Sequence, residues 1–343
     1  MTQKNIEEYV TSILGTIERE REREIIARRY GLFDRKETLE QIGELLGITR
    51  ERVRQLEKSV MTRLRTSAES NDLPGIEEIE KTLTDTLVEI GNVARVTTLS
   101  EKLVGKAAGN TKIDQSRVAF LAELAPGLSV LSDNDNFHLS VAITKVHDDK
   151  KVQKHVANII DAIKKLGQPH PIEKIGEHVS NSDAKHVAAL SSTSKHLATL
   201  NNQWGLIKWP TVNPKNIRDK IYVILQQHGK HMHFNEIASA IKDSDFKRKD
   251  VTTQAIHNEL IKDKRFVLIG RGIYALKEWG YKKGTVADII SEVLKEAGEP
   301  LHRDEIVKRV LKSRYVKETT ILLNLQGKPQ FQRVAKATYA LAE

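Results

Sequence analysis

The sequence predicts a mainly α-helical protein with small β-hairpin wings, built as a tandem array of helix-turn-helix and winged-helix modules. Three observations carry that prediction. Three short amphipathic helices followed by two short strands recur every roughly 60–70 residues through the later chain, the scale at which tandem repeats are sought. A helix-turn-helix with its own capping signals lies between Thr38 and Arg65. The composition, 39% hydrophobic, 29% charged and only 5% aromatic over 343 residues, fits several small helical cores better than one large one.

The repeat is clearest at the C-terminal end. From Asn216 an apolar helical pattern (Ile217, Ile221, Ile224, Leu225) leads to His228-Gly229-Lys230, a second helix at Asn235 to Ala238 and a third from Val251 to Leu260. Strands Phe266 to Ile269 and Gly272 to Leu276 close it. From Gly284 the same order returns, ending on Phe331 to Val334 and Thr338 to Leu341. Two less regular copies lie upstream, over Val152 to Trp209 and over Ile76 to Val141. The expected domains are therefore 1–70, a helix-turn-helix, then winged-helix-like modules at 71–149, 150–213, 214–283 and 284–343. In such a module the helices share a core, the hairpin covers an edge, and the third helix stays free to enter a groove. Helical arrays that serve only oligomerisation would show the same pattern.

The net charge is +9, with +1 on 1–70, −5 on 71–150, +4 on 151–213, +7 on 214–283 and +2 on 284–343. A polyanion is the default partner of so basic a chain. The fourth segment is the best candidate for a second nucleic-acid contact through Lys247, Arg248, Lys249 and Arg271, with Lys264 and Arg265 beside them. The acidic second segment suits a protein contact.

Thr38 is a good helix N-cap, and Gln41 completes a capping box. Leu39, Ile42, Leu45 and Leu46 are expected to form a buried stripe that ends at Gly47. Thr49 can cap the next helix, whose apolar stripe is Val53, Leu56, Val60 and Leu64. With Arg50 at zero and 100° per residue, that stripe centres near about 285°, while Arg50, Glu51, Arg54, Gln55 and Lys58 fall between about 0° and 140°. The polar patch thus lies away from the core on the helix's N-terminal half, where a recognition helix meets base edges. Arginine pairs with guanine, glutamine with adenine, and glutamate accepts from cytosine. A solvated charged face on an ordinary helical hairpin is the alternative reading.

The wording of the segment adds to its pattern. Glu20-Arg21-Glu22-Arg23-Glu24-Ile25-Ile26-Ala27-Arg28-Arg29-Tyr30-Gly31-Leu32, then Thr38 to Gly43, then Gly47-Ile48-Thr49-Arg50-Glu51-Arg52-Val53-Arg54-Gln55-Leu56-Glu57, resembles region four of bacterial primary-type sigma factors. The likeness covers about the first 66 residues. It implies reading of the minus-thirty-five promoter element in double-stranded DNA, with Arg50, Glu51, Arg54 and Gln55 at the bases. Arg21, Thr38, Leu39 and Glu40 would lie against the backbone, and Lys58 joins them from the polar face. It also implies docking on the flap of the RNA polymerase β subunit, for which Ile6, Val10, Ile13, Leu14 and Ile17 occupy the corresponding stretch; plain core is the other reading of that stripe. In sigma factors the region is C-terminal, after a domain whose aromatics help open the promoter. Here it stands first and the 17 aromatics form no such cluster, so promoter melting by this chain alone is not expected.

Residues 214–283 resemble the HARE-type helix-turn-helix family through Phe234 to Ala238, Gly270-Arg271-Gly272-Ile273-Tyr274-Ala275-Leu276 and Glu278-Trp279-Gly280. Gly270 and Gly272 suit a tight hairpin, Tyr274 and Leu276 are expected to pack inward, and Trp279 reads as core.

Zero cysteines exclude disulfides, thiolate metal sites and cysteine nucleophiles. His228, His231 and His233 are the one close histidine group and Asp133 with Asp135 the compact carboxylate pair, neither with the further ligands a metal needs. No phosphate-loop, HExxH or GxSxG motif occurs, so neither enzyme activity nor a cofactor is expected. A cytoplasmic location is expected, because the chain shows neither an export signal nor an apolar run long enough to span a membrane. The expected function is that of a sigma-like transcription protein. The alternatives are a sequence-specific regulator that never touches polymerase, a DNA-coating or modified-DNA-sensing protein, and the DNA-binding subunit of an enzyme. Target site, sign of regulation and oligomeric state are not written in the sequence.

Overall fold

The computed structural model describes residues 3–105, 111–146, 149–181, 183–246 and 250–342. The chain is mainly helical with small antiparallel sheets, and it falls into two compact units, Met1–Lys208 and Trp209–Glu343.

The first unit opens with α1 (Gln3–Gly15), α2 (Glu20–Tyr30), α3 (Leu39–Leu46) and α4 (Arg50–Glu69). It continues through α5 (Ile76–Ile90), β1 (Val93–Arg95), α6 (Val96–Val104), α7 (Lys112–Leu124), β2 (Leu128–Leu131) and β3 (Ser140–Ile143), whose strands pair in the order β1-β3-β2. The last part is α8 (Asp149–Leu166), α9 (Ile172–His178), α10 (Ala184–Thr193) and the hairpin β4 (Leu197–Leu200) and β5 (Gln203–Leu206).

One core runs through the first two of these parts. Ile6, Val10, Ile13, Leu14 and Ile17 of the first share it with Leu83, Leu99 and Phe120 of the second. The apolar stripe that sequence likeness assigns to a polymerase flap is therefore shut inside the protein, because α1 packs against α7. Arg117 on α7 fastens the join: its Nε donates to the Leu32 carbonyl at 2.7 Å and its Nη1 to Glu7 at 3.0 Å.

The helices expected to stay free for a groove are covered in both later parts of this unit. On α7 nine of thirteen residues are buried. On α10 six of ten are buried, and the helix lies on β1 and α5. His186 Nδ1 donates to the Gly91 carbonyl at 2.7 Å, and Arg95 Nε donates to the carbonyl of Ser192. Burial of these faces takes up most of each helix in packing within the unit.

The second unit holds α11 (Ile217–His228), β6 (Met232–His233), α12 (Phe234–Asp243), α13 (Thr253–Lys262), β7 (Phe266–Gly270) and β8 (Ile273–Leu276). The same order follows in α14 (Val286–Ala297), β9 (Leu301–His302), α15 (Arg303–Ser313), α16 (Glu318–Gly327), β10 (Phe331–Ala335) and β11 (Thr338–Leu341). Their sheets are β6-β8-β7 and β9-β11-β10. The repeat extends to individual hydrogen bonds. His233 and His302 cap α12 and α15 through Nδ1, accepting from the backbone of Asn235 and Asp304. Both hairpins carry a register shift, at Leu268/Gly270 and Arg333/Ala335. Phe234 N donates to Gly272 O at 3.0 Å and Arg303 N to Ala337 O at 2.8 Å.

Gly272 and Ala337 therefore occupy one structural position, at φ 71° and 56°. A Cβ on Gly272 would lie 2.5 Å from His233 Nε2, so only glycine fits there. Ala337 bears the left-handed strain instead, which costs a residue with a Cβ about 1 kcal/mol. Ala337→Gly is expected to raise the thermal midpoint of the second unit by a few degrees, read by calorimetry; a lowered midpoint would contradict the assignment of strain.

Candidate nucleic-acid interface

The angle between α3 and α4 is set by local chemistry. Thr38 Oγ1 accepts from Gln41 N, and Gln41 Oε1 accepts from Thr38 N, closing the capping box. Gly47 turns the chain at φ 64°, Ile48 N donates to the Gly43 carbonyl at 2.9 Å, and Thr49 caps α4 by accepting from Arg52 N. Gly43 lies so close to the turn that a Cβ there would stand 2.7 Å from Ile48 O. A lone glycine inside a short helix is the sequence feature that marks this contact, and the periodicity of the apolar residues did not bring it out.

Ile25, Ile42 and Val53 form a small core that locks α2, α3 and α4, with Leu39, Leu46, Ile48 and Leu56 partly buried around it. Leu45, expected in that stripe, is 55% exposed instead. Outside this core, Arg29 Nε pairs with Glu57 at 3.3 Å and Arg63 pairs with the largely buried Glu22. The packed faces of the three helices thus leave the N-terminal half of α4 standing clear.

Arg50, Glu51, Arg54, Gln55 and Lys58 are all exposed on that half. Arg54 grips Glu51 with two hydrogen bonds, 2.8 and 2.7 Å, and Gln55 Nε2 donates to the same carboxylate at 3.3 Å. The hydrogen bonds from Arg54 pull the Glu51 carboxyl down to about 2. It is therefore ionised throughout the neutral range. Arg50 pairs with Glu40 on α3 at 2.8 Å. In the free protein the polar face is a preorganised network whose members would exchange partners on meeting a ligand. Arg21 reaches the carbonyl of Leu46, Thr38 and Glu40 are exposed at the start of α3, and Leu39 is half-buried beside them.

Residues 19–66 match the family Sigma-70, region 4. The chain is 43% identical over 65 residues to the RNA polymerase sigma factor sigB of Arabidopsis thaliana, covering 19% of this chain and 11% of that protein. It is 44% identical over 61 residues to the RNA polymerase sigma factor SigA1 of Synechococcus elongatus, covering 18% of this chain and 15% of the relative. A Bacillus RNA polymerase sigma factor SigA is 39% identical over 69 residues, 20% of this chain and 18% of that protein. The chain spans less than a fifth of the length of these relatives.

In the second unit Arg271 is exposed at the turn between β7 and β8. Lys264 is exposed as well, but Arg265 is occupied inside the unit: it bonds Asp263 at 2.7 Å and Asp219 at 3.1 Å and lies over the rings of Tyr222 and Phe266. It is a structural arginine rather than a phosphate contact. Lys247, Arg248 and Lys249 lie outside the described residues. On α13 only Ile256 and Leu260 are buried, so this helix keeps an open face, on which Gln254 and Asn258 bond each other at 3.1 Å. Tyr274 and Leu276 point inward, and Trp279 packs partly buried against Val267, Ile269 and Ala275.

The histidine group disperses: His233 is a cap, and His231 stacks on Tyr315 at 4.4 Å. Asp133 pairs with Lys195 at 2.8 Å. Among the described residues no three metal-binding side chains converge, and no helix is long and apolar enough to cross a membrane.

Proposed function

We propose that the chain is a sigma-like, non-enzymatic DNA-binding transcription protein whose region-four segment reads a minus-thirty-five-type element in the major groove. The observation that carries this reading is the exposed face of Arg50, Glu51, Arg54 and Gln55 on the N-terminal half of α4, within a segment that matches sigma region four. In this reading those four side chains meet base edges, while Arg21, Thr38, Leu39, Glu40 and Lys58 hold the backbone. The positive end of α4 adds a favourable field for phosphate. The second unit adds a further duplex contact through Arg271 and the open face of α13, in the manner of a winged helix of HARE type.

Association with RNA polymerase follows from the same likeness, since the relatives are named RNA polymerase sigma factors. Burial of the Ile6, Val10, Ile13 and Leu14 stripe requires that this contact be made by another surface. That burial favours a second reading, a sequence-specific regulator that binds DNA without polymerase.

Selection of bound duplexes from a randomised pool by the full chain tests the DNA reading, and co-purification with core RNA polymerase separates the two forms of it. Enrichment of one short motif is expected. A pool that stays random after repeated rounds would overturn sequence reading, and an enriched motif with no retained polymerase would select the regulator.

A further inference from the structure

A cleft of about 880 Å³ opens in the first unit where the loop before α3 meets β1, α6, α7 and the β2–β3 turn. Arg35, Lys36, Arg95 and Lys112 line it, together with the neutral side chains Val96, Ile113 and Leu139. Among the described residues none of the four cations is ion-paired to a carboxylate. Of the two acids at the cleft, Asp133 is taken up by Lys195 at 2.8 Å, which leaves Asp34 alone against four positive charges. Arg95 is the recessed member: it is half-buried, and its Nε is held by the Ser192 carbonyl.

Burial, with Arg95 and Lys195 nearby, keeps the His138 imidazole below its usual value, so this side chain enters the cleft as a neutral group. The lining carries four cations against two acids, one of them already paired with Lys195, so an anion is the charged ligand that suits the cleft. The volume lies within the about 300–1,000 Å³ of small-molecule sites, and an apolar wall beside a few convergent polar groups is their usual make-up.

We infer that this cleft binds a phosphate-bearing small molecule of nucleotide size, its phosphates on Arg95, Lys112, Arg35 and Lys36 and its body against Val96, Ile113 and Leu139. The same phosphate chemistry is offered by duplex DNA. A recessed guanidinium in a concave cleft, however, is reached by a free ligand more readily than by a phosphate fixed on a stiff convex backbone. Arg35 and Lys36 precede Thr38, the cap of α3, by three and two residues, so occupancy of the cleft would bear directly on the region-four segment.

The test is titration of the full chain with ATP and, separately, with inorganic pyrophosphate, read by calorimetry. Saturable binding of ATP is expected, weaker binding of pyrophosphate, which lacks the body, and at least a tenfold loss of ATP affinity in both Arg95→Gln and Lys112→Glu. Lys112 is exposed on the first turn of α7, so its variant keeps the fold should Arg95→Gln disturb the Ser192 contact. A short duplex is added in competition. Failure of both probes to saturate at millimolar concentration, ATP binding unchanged in Lys112→Glu, or displacement of ATP by duplex with an equal loss of duplex affinity in Lys112→Glu would each overturn the small-molecule site. None of these outcomes touches base reading by α4, which is scored on a different face.

Discussion

Arg117→Met is expected to destabilise the first unit by about 3 kcal/mol, since hydrogen bonds to a charged group contribute about 1.5–3 kcal/mol each and a buried partner is left behind. The guanidinium donates to Leu32 O and to Glu7, lies 3.9 Å from Asp114 and sits over the Phe33 ring at 5.5 Å. Asp114 is almost wholly buried, so its carboxylate loses a cation 3.9 Å away when Arg117 goes. A chain part of this size loses about 2–4 °C in midpoint per kcal/mol, so a fall of roughly 6–12 °C should appear in calorimetry. A shift below about 2 °C would show that α1 and α7 are held by apolar packing alone. Arg117→Lys should recover only part of the loss, because an ammonium cannot serve Leu32 O and Glu7 in the same fork.

Gly43→Val is the second large effect. Its Cβ would stand 2.7 Å from Ile48 O, and neither partner is a flexible chain end, so α3 must move away from the turn. Overpacking of this kind costs about 1–3 kcal/mol, and the movement also re-aims α4. The loss should therefore appear twice, as a lowered midpoint and as at least tenfold weaker binding to a selected duplex by the remaining folded protein. Gly176 supplies the control: a Cβ there would lie 2.6 Å from Asn181 O, five residues on, the same relation at the α9–α10 turn. Gly176→Val should lower stability to a similar extent and leave duplex affinity per folded molecule unchanged, because α10 is covered. Equal loss of affinity in the two variants would remove the link between the α3–α4 angle and DNA.

The local devices of this fold were legible in its sequence. Thr38 with Gln41, Gly47 and Thr49 each announce a helix end, and each performs that role through a bond between neighbours. Leu45 was misread because the other apolar residues of α3 centre about 90° away around the helix at 100° per residue, and only that narrower face meets Ile25 and Val53. The stripe of Ile6, Val10, Ile13 and Leu14 declared that one face of α1 is buried. Nothing in the periodicity names its cover, which is α7, brought there across 110 residues by Arg117 and Glu7. β1, β6 and β9 are too short, at two or three residues, to show an alternation at all. Net charge misled in another way: the segment 71–150 carries −5 overall, yet it places Arg95 and Lys112 in the cationic cleft.

The most direct test of base reading by α4 is a pair of competition titrations on Arg54→Lys, one with the selected duplex and one with random duplex at the same salt. Lysine keeps the charge for phosphate but lacks the planar fork that takes two acceptors of guanine. The expected result is a loss of about 1–3 kcal/mol on the selected duplex, relaxed preference at a single base pair, and random-duplex affinity within about twofold of the parent. Equal affinities of Arg54→Lys and the parent for the selected duplex, or equal losses on selected and random duplex, would contradict direct readout by this helix.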